Sequence, residues 1–150
     1  MALKQRISDD LKAALLGGDR FVVDTLRGLK AAILNEEVSQ GKRDEGLSDG
    51  EIEQIVAKEV KKRNESATLY ENAQRAELAE SERKEASILS AYLPQQLSED
   101  EIRQVVEDVI GELGVSGAAA MGQVIGGVKK RVGNTADGST IANIVKQILN

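Results

Sequence analysis

Apolar residues recur along this chain at intervals of three and four positions, which is the spacing of one face of an α-helix. The clearest examples lie in the last 30 residues, where two short segments each carry one apolar stripe. The stripes are Met121, Val124, Ile125, Val128 and Val132, then Ile141, Ile144, Val145, Ile148 and Leu149. No segment shows the period of two that is typical of a β-strand. The pattern therefore predicts an all-α protein.

Four helices are predicted before the single proline, Pro94. Their predicted ranges are Ala2–Leu16, Arg20–Gln40, a helix from about residue 49 to Asn72, and Ala76–Ala91. Glycines and polar residues separate them, and Asp19 is the predicted N-cap of the second helix. The apolar faces are predicted to include Leu15, Leu34, Val38 and Leu78, with the stem of Lys30 covering apolar surface.

Two short segments of similar pattern, Leu47–Ile52 and Leu97–Ile102, mark the beginnings of helices. In each, a serine is followed three positions later by a glutamate, which is the pattern of a capping box. Between them, Pro94 disfavours helical geometry at Leu93 and so marks a boundary. We predict a four-helix N-terminal domain over residues 1–93 and a compact three-helix C-terminal domain over residues 98–150. The last three helices are expected to end at Leu113, Val132 and Leu149.

The composition narrows the possible chemistry. The chain has 150 residues and contains no histidine and no cysteine, so disulfides, zinc sites of the Cys/His type and histidine-activated nucleophiles are excluded. Serine or threonine would need another activating base, and no local signature of a Ser-Lys pair stands out. Only three aromatic residues are present, too few for a surface that stacks single-stranded bases. We therefore predict no cofactor and no metal, and favour a non-catalytic role.

The charge is unevenly distributed along the chain. The net charge is −5, which disfavours non-specific binding to nucleic acid. Residues 118–150, in contrast, carry four basic and one acidic side chain, which is a local charge of +3. The chain start shows no apolar signal core, and no apolar run of about 18 residues is present. On these grounds we expect a cytoplasmic protein with no membrane segment.

One face of the predicted sixth helix, Ala118–Val132, carries small residues and lysine beside its apolar stripe. The candidate nucleic-acid-binding residues are Gly122, Gly126, Lys129, Lys130, Arg131 and Gly133. Glycine inside a helix costs about 0.5–1 kcal/mol relative to alanine, so repeated glycines need a reason. Close packing on a neighbouring helix is one reason, and a partner that lies on this face is another. The three cations also complement the dipole at the helix end.

Several of these segments resemble the GatB/YqeY family, and specifically its YqeY-like proteins. The resemblance covers nearly the whole chain and depends on four segments: residues 25–33, 92–98, 121–126 and 133–138. The family includes the tail domain of the B subunit of glutamine-dependent aminoacyl-tRNA amidotransferases. This chain departs from its relatives at Asn134 and Thr135, where they often carry a basic turn.

The resemblance implies an all-α N-terminal domain, a three-helix C-terminal domain and an association with tRNA rather than with the amidotransfer chemistry. We therefore expect a non-catalytic accessory module that binds tRNA weakly, in a salt-sensitive manner, or binds a protein partner of the translation machinery. Two other interpretations stay open. One is a protein-interaction adaptor, and the other is a carbon-nitrogen ligase or amidase that uses glutamine as amido donor.

Overall fold

The computed structural model of the protein describes residues 2–150, and within that range every regular element is helical. The prediction of an all-α fold is therefore confirmed. Seven α-helices are present in this range. They are α1 (Ala2–Gly17), α2 (Arg20–Ser39), α3 (Asp49–Asn72), α4 (Ala76–Ser90), α5 (Glu99–Leu113), α6 (Met121–Val132) and α7 (Gly138–Leu149).

The helix beginnings follow the predicted capping chemistry. Ser48 and Ser98 each accept a hydrogen bond from the backbone N–H of the glutamate three residues later, and that glutamate accepts one in return. Asp19 caps α2, and Asp137 caps α7 through the N–H of Thr140 at 3.2 Å. These bonds satisfy backbone donors that have no partner within the helix. The local sequence thus determines where these helices begin.

The chain divides into two compact units, the first ending at Leu93 and the second beginning at Pro94. In the first unit, α1 to α4 surround an aliphatic core that one tyrosine, Tyr92, completes. The fully buried aliphatic side chains of this core are Ile7, Leu26, Leu29, Ile33, Leu47, Ile52, Val56 and Leu89. Leu47 lies just before the N-cap of α3 and is buried with Ile52, as a hydrophobic staple requires.

The second unit consists of α5, α6 and α7, whose apolar stripes face one another. Its buried side chains are Ile102, Val106, Val109, Val124, Val128, Val132, Ile141, Ile144 and Val145. Every one is β-branched, and such side chains have few rotamers, which favours a well-defined core. The backbone N–H of Leu97 donates to the carbonyl oxygen of Thr135 at 2.8 Å and so ties the start of this unit to the α6–α7 connection.

Some predictions of detail are wrong. The sixth helix was predicted to begin at Ala118, but residues Ala118–Ala120 form a separate 3₁₀ turn after Gly117, whose φ is +82°. A second 3₁₀ turn, Gly133–Thr135, follows α6. Four apolar residues predicted to be buried are between 37% and 58% exposed, because each lies at the edge of its predicted stripe. They are Leu15, Leu34, Val38 and Leu78.

The largest departure concerns the last two turns of α2. Glu37 is only 2% exposed, whereas its neighbour Val38 is 58% exposed. The carboxylate of Glu37 accepts a hydrogen bond from Lys4 Nζ at 2.6 Å, and this contact makes its burial tolerable. The helix therefore turns a charged residue inward and an aliphatic one outward, opposite to the sequence prediction.

No single helix within residues 2–150 is long and apolar enough to cross a membrane. The two segments Glu99–Leu113 and Ala118–Thr135 are together long and apolar enough by length and composition alone, and they are bent by 100° relative to each other.

Candidate functional site

The predicted site residues lie on α6 and at its C-terminal end. At 100° per residue, Gly122, Gly126, Lys129 and Gly133 fall within about 60° of one another around the helix axis. The buried stripe of Val124, Val128 and Val132 occupies a different sector of the same helix. The structure therefore brings the glycines and Lys129 together on one exposed face, which we call the glycine face.

Close packing explains Gly127, a glycine in α6 that lies outside the predicted site. A Cβ atom on Gly127 would lie 2.9 Å from Cγ1 of Val109 in α5, closer than real side chains approach. Gly127 therefore allows α5 and α6 to meet. No sequence motif marked this residue, because the contact depends on where α5 lies.

The glycine face itself has no such neighbour. A Cβ atom on Gly122 or on Gly126 would meet nothing within 4 Å among the described residues. Gly133 has a separate reason to be glycine, because its φ of +55° and ψ of −128° disfavour other residues. Gly126 lies in the middle of the helix, where glycine lowers helix stability relative to alanine. The packing of this unit gives no reason for a glycine at that position.

Lys129 on the glycine face and Lys130 beside it are exposed cations. In the part of the chain that the structure describes, neither has a carboxylate within ion-pairing distance. Lys129 reaches the first residue of α7, since a Cβ atom on Gly138 would lie 3.5 Å from its Nζ. The N-terminus of a helix carries partial positive charge. The carboxylate of Asp137, the N-cap of α7, offsets that charge, so the positive charge of this face comes from the ammonium groups of Lys129 and Lys130.

Arg131 is separated from the glycine face. It lies roughly 180° from Gly122 around the helix axis, and its guanidinium forms an ion pair with Glu112 of α5. The structure thus divides the three consecutive cations: Lys129 and Lys130 lie near the glycine face, and Arg131 faces α5. The sequence alone could not show this pairing, because Glu112 is distant along the chain.

The chemistry available on this face is electrostatic. The described residues contain no group of three or more acidic, histidine or cysteine side chains placed to hold a metal ion. Ammonium groups can bind anionic oxygens through charge-assisted hydrogen bonds, without any covalent bond being made or broken. The arrangement therefore favours binding to an anionic partner.

The chain is thus a small all-helical protein of two compact units, and the second unit carries two exposed lysines beside open glycines. The chain belongs to the YqeY-like protein family, whose model matches residues 4–149. This match confirms the resemblance to YqeY-like proteins described above.

The chain is also similar to curated proteins from fungi. It is 28% identical over 114 residues to "Altered inheritance of mitochondria protein 41, mitochondrial" of Clavispora lusitaniae, a match that covers 75% of this chain and 65% of that protein. The protein of the same name from Pyrenophora tritici-repentis is 23% identical over 96% of this chain and 79% of its own length. The one from Lachancea thermotolerans is 32% identical, over 71% of this chain and 57% of its own length.

These names correct the expected location. The relatives are named as mitochondrial proteins, which contradicts the cytoplasmic location expected from the sequence. The expectation was wrong because it relied on composition and on the first residues of the chain. A polar helical surface without cysteine is compatible with more than one compartment.

Proposed function

We propose that the protein is a non-catalytic accessory module that binds RNA, and tRNA in particular, through the glycine face and its two lysines. The observation that carries the proposal is Gly126, a solvent-open glycine in the middle of α6 beside unpaired lysines. A face without side chains lets a sugar-phosphate backbone come close to the helix. Lys129 and Lys130 then supply the charge that attracts phosphate.

The charge distribution supports a small and specific contact. The second unit, residues 94–150, has five basic and seven acidic side chains, so its net charge of −2 does not favour general adhesion to nucleic acid. The acidic residues concentrate on α5, and the unpaired lysines lie on α6. Since Arg131 is paired with Glu112, two phosphate contacts are expected and the logarithmic salt slope should be near −2.

The test is a titration of labelled tRNA against the full-length chain at about 50 and 200 mM salt. Lys129→Gln/Lys130→Gln removes both cations, and Lys12→Gln/Lys58→Gln is the charge-matched control, since both of its lysines are exposed on the first unit. Wild type and control should bind alike and lose about tenfold in affinity across this salt range. The site variant should bind weakly at either salt concentration.

Two results would overturn the proposal. Equal binding by all three proteins would show that the α6 face is not the binding site. Absence of binding by the wild type at low salt would show that the protein does not bind tRNA. A protein that co-purifies stoichiometrically and stays bound after nuclease treatment would instead support the adaptor function.

A further inference from the structure

A cavity of about 260 Å³ opens on the first unit, between the start of α1 and the last turns of α2. Its walls are mostly aliphatic and include Ile7, Ala31 and Leu34. Lys4, Lys30 and Glu37 also line it. An apolar cavity with a few charged groups is the usual form of a small-molecule site.

The buried carboxylate of Glu37 at this cavity is not required by the fold. Glu37 is one turn after Ile33, at a position of the buried stripe where an aliphatic residue would continue the core. An ion pair that involves a buried carboxylate, such as Glu37 with the partly exposed Lys4, generally gives no more stability than apolar side chains of similar volume. Folding alone therefore does not favour a carboxylate here, and the pairing with Lys4 leaves Lys30 as the only charged lining group without an opposite charge within ion-pairing distance among the described residues.

Lys30 gives the cavity its net charge. The positive charge of Lys4 is matched by Glu37, whereas Lys30 has no carboxylate within ion-pairing distance among residues 2–150. The three groups together carry a charge of +1. Lys30 is half-buried, so its ammonium is less screened by water than that of a fully exposed lysine.

We propose that this cavity binds a small amphipathic carboxylate, with its apolar body on Ile7, Ala31 and Leu34 and its carboxylate paired with Lys30. Leu34 is 44% exposed, and a ligand in the cavity would cover it. The volume lies just below the range of about 300–1,000 Å³ that is typical of drug-sized ligands. A ligand of about ten non-hydrogen atoms, such as octanoate, suits a cavity of this size, and an affinity in the millimolar range is expected. The site is independent of the α6 face.

The experiment is a titration of octanoate into the full-length chain, with methyl groups labelled and followed by NMR. Octylamine and octanol test the head group with the same apolar body. Lys30→Gln removes the charge and leaves a shorter polar side chain, and Lys58→Gln is a control at an exposed lysine of α3. Ala31→Trp fills the cavity from its exposed rim, and its circular dichroism shows whether the fold is kept.

Octanoate should give saturable shifts at the methyl groups of Ile7 and Leu34, and bind more tightly than octylamine or octanol. Lys30→Gln should weaken octanoate about fivefold, Ala31→Trp should abolish the shifts, and Lys58→Gln should leave them unchanged. The proposal is overturned by absence of saturable shifts up to about 10 mM octanoate. Equal or tighter binding of octylamine, or an unchanged affinity in Lys30→Gln, overturns it as well, and neither depends on the folding of Ala31→Trp.

Discussion

Gly127 of α6 faces Val109 of α5 so closely that a Cβ atom on the glycine would lie 2.9 Å from Cγ1 of the valine. Val109 is buried in the core of the second unit, so its methyl groups have little room to move away. One residue earlier in the same helix, Gly126 is open to solvent. Two adjacent glycines thus have opposite surroundings, and they form a matched pair for experiment.

We predict opposite effects on stability when each of these glycines is replaced by alanine. Gly127→Ala should destabilise the protein by about 1–3 kcal/mol, because the added methyl group overpacks the α5–α6 contact. Gly126→Ala should stabilise it by about 0.5–1 kcal/mol, because alanine is the better helix former and meets no neighbour. Urea unfolding followed by circular dichroism measures both.

The same pair connects stability with the proposed function. Gly126→Ala should weaken tRNA binding while it raises the urea midpoint, since the methyl group stands between the helix and the RNA backbone. A variant that is more stable and binds tRNA as tightly as the wild type would show that the open glycine face is not used.

Much of the fold could be predicted because its signals are local. The capping boxes at Ser48 and Ser98 involve residues three positions apart, and the structure contains both. The stripes of α5, α6 and α7 are also correct in their buried centres, where the helical period is unambiguous. Leu113, at the end of the α5 stripe, is 40% exposed, because a helix end has fewer neighbours to cover it.

The inward position of Glu37 could not be predicted, because it depends on a contact across the chain. In α2, the row of Ile33 and Glu37 and the row of Leu34 and Val38 are adjacent on the helix surface. Hydrophobicity alone favours the second row as the buried one. The ammonium of Lys4, 33 residues away, makes the first row possible, and the sequence pattern does not reveal that pairing.

The candidate site was predictable only in part, for the same reason. The sector that holds Gly122, Gly126 and Lys129 follows from helix geometry and the sequence. The pairing of Arg131 with Glu112 and the approach of Gly127 to Val109 depend on where α5 lies. The role of these residues in RNA binding stays a prediction.

Removal of one partner of the Lys4–Glu37 pair should destabilise the first unit. Lys4→Met leaves a carboxylate that is 2% exposed without its lysine, and we expect a loss of about 1–3 kcal/mol in the free energy of unfolding. Lys4→Met/Glu37→Leu should recover most of that loss, because aliphatic side chains then fill the space. Urea denaturation of the four proteins of the cycle gives the coupling energy.

Lys12→Met serves as the control for that cycle. Lys12 lies on the same helix and is exposed, so its replacement should change stability by no more than about 0.5 kcal/mol. If Lys4→Met were as mild as this control, Glu37 would not depend on its lysine partner.

The hydroxyl group of Tyr92 donates a hydrogen bond to the carboxylate of Asp10 at 2.6 Å, and the guanidinium of Arg6 lies 4.8 Å from the ring centroid. Burial raises the pKa of Tyr92 well above its usual value, and the hydrogen bond to Asp10 and the charge of Asp10 raise it further. Arg6 acts in the opposite direction. The folded protein therefore favours the neutral phenol.

This pKa shift predicts a loss of stability at alkaline pH. Below the ordinary tyrosine pKa of 10.0 the phenol is neutral in the folded and in the unfolded protein, and its contribution to the free energy of unfolding is complete. Above that pH the unfolded chain releases the proton first, so the free energy of unfolding falls as pH rises, by at most about 1.4 kcal/mol per pH unit.

Urea unfolding between about pH 9 and pH 11.5 tests this dependence on either side of the tyrosine pKa. Tyr92→Phe should lose this part of the pH dependence, and Asp10→Asn should retain some of it because burial remains. Equal slopes for the wild type and Tyr92→Phe would show that the phenol does not contribute.

Arg131 should contribute less to RNA binding than Lys130, although the two residues are adjacent. Its guanidinium is paired with Glu112 and lies on the side of α6 that faces α5, whereas Lys130 is exposed and unpaired among the described residues. Arg131→Gln should therefore change tRNA affinity by less than about twofold, and Lys130→Gln should lower it about threefold. Titrations of labelled tRNA at low salt measure both. If Arg131→Gln caused the larger loss, the RNA would have to bind on the α5 side of the helix, and the glycine face would lose its proposed role.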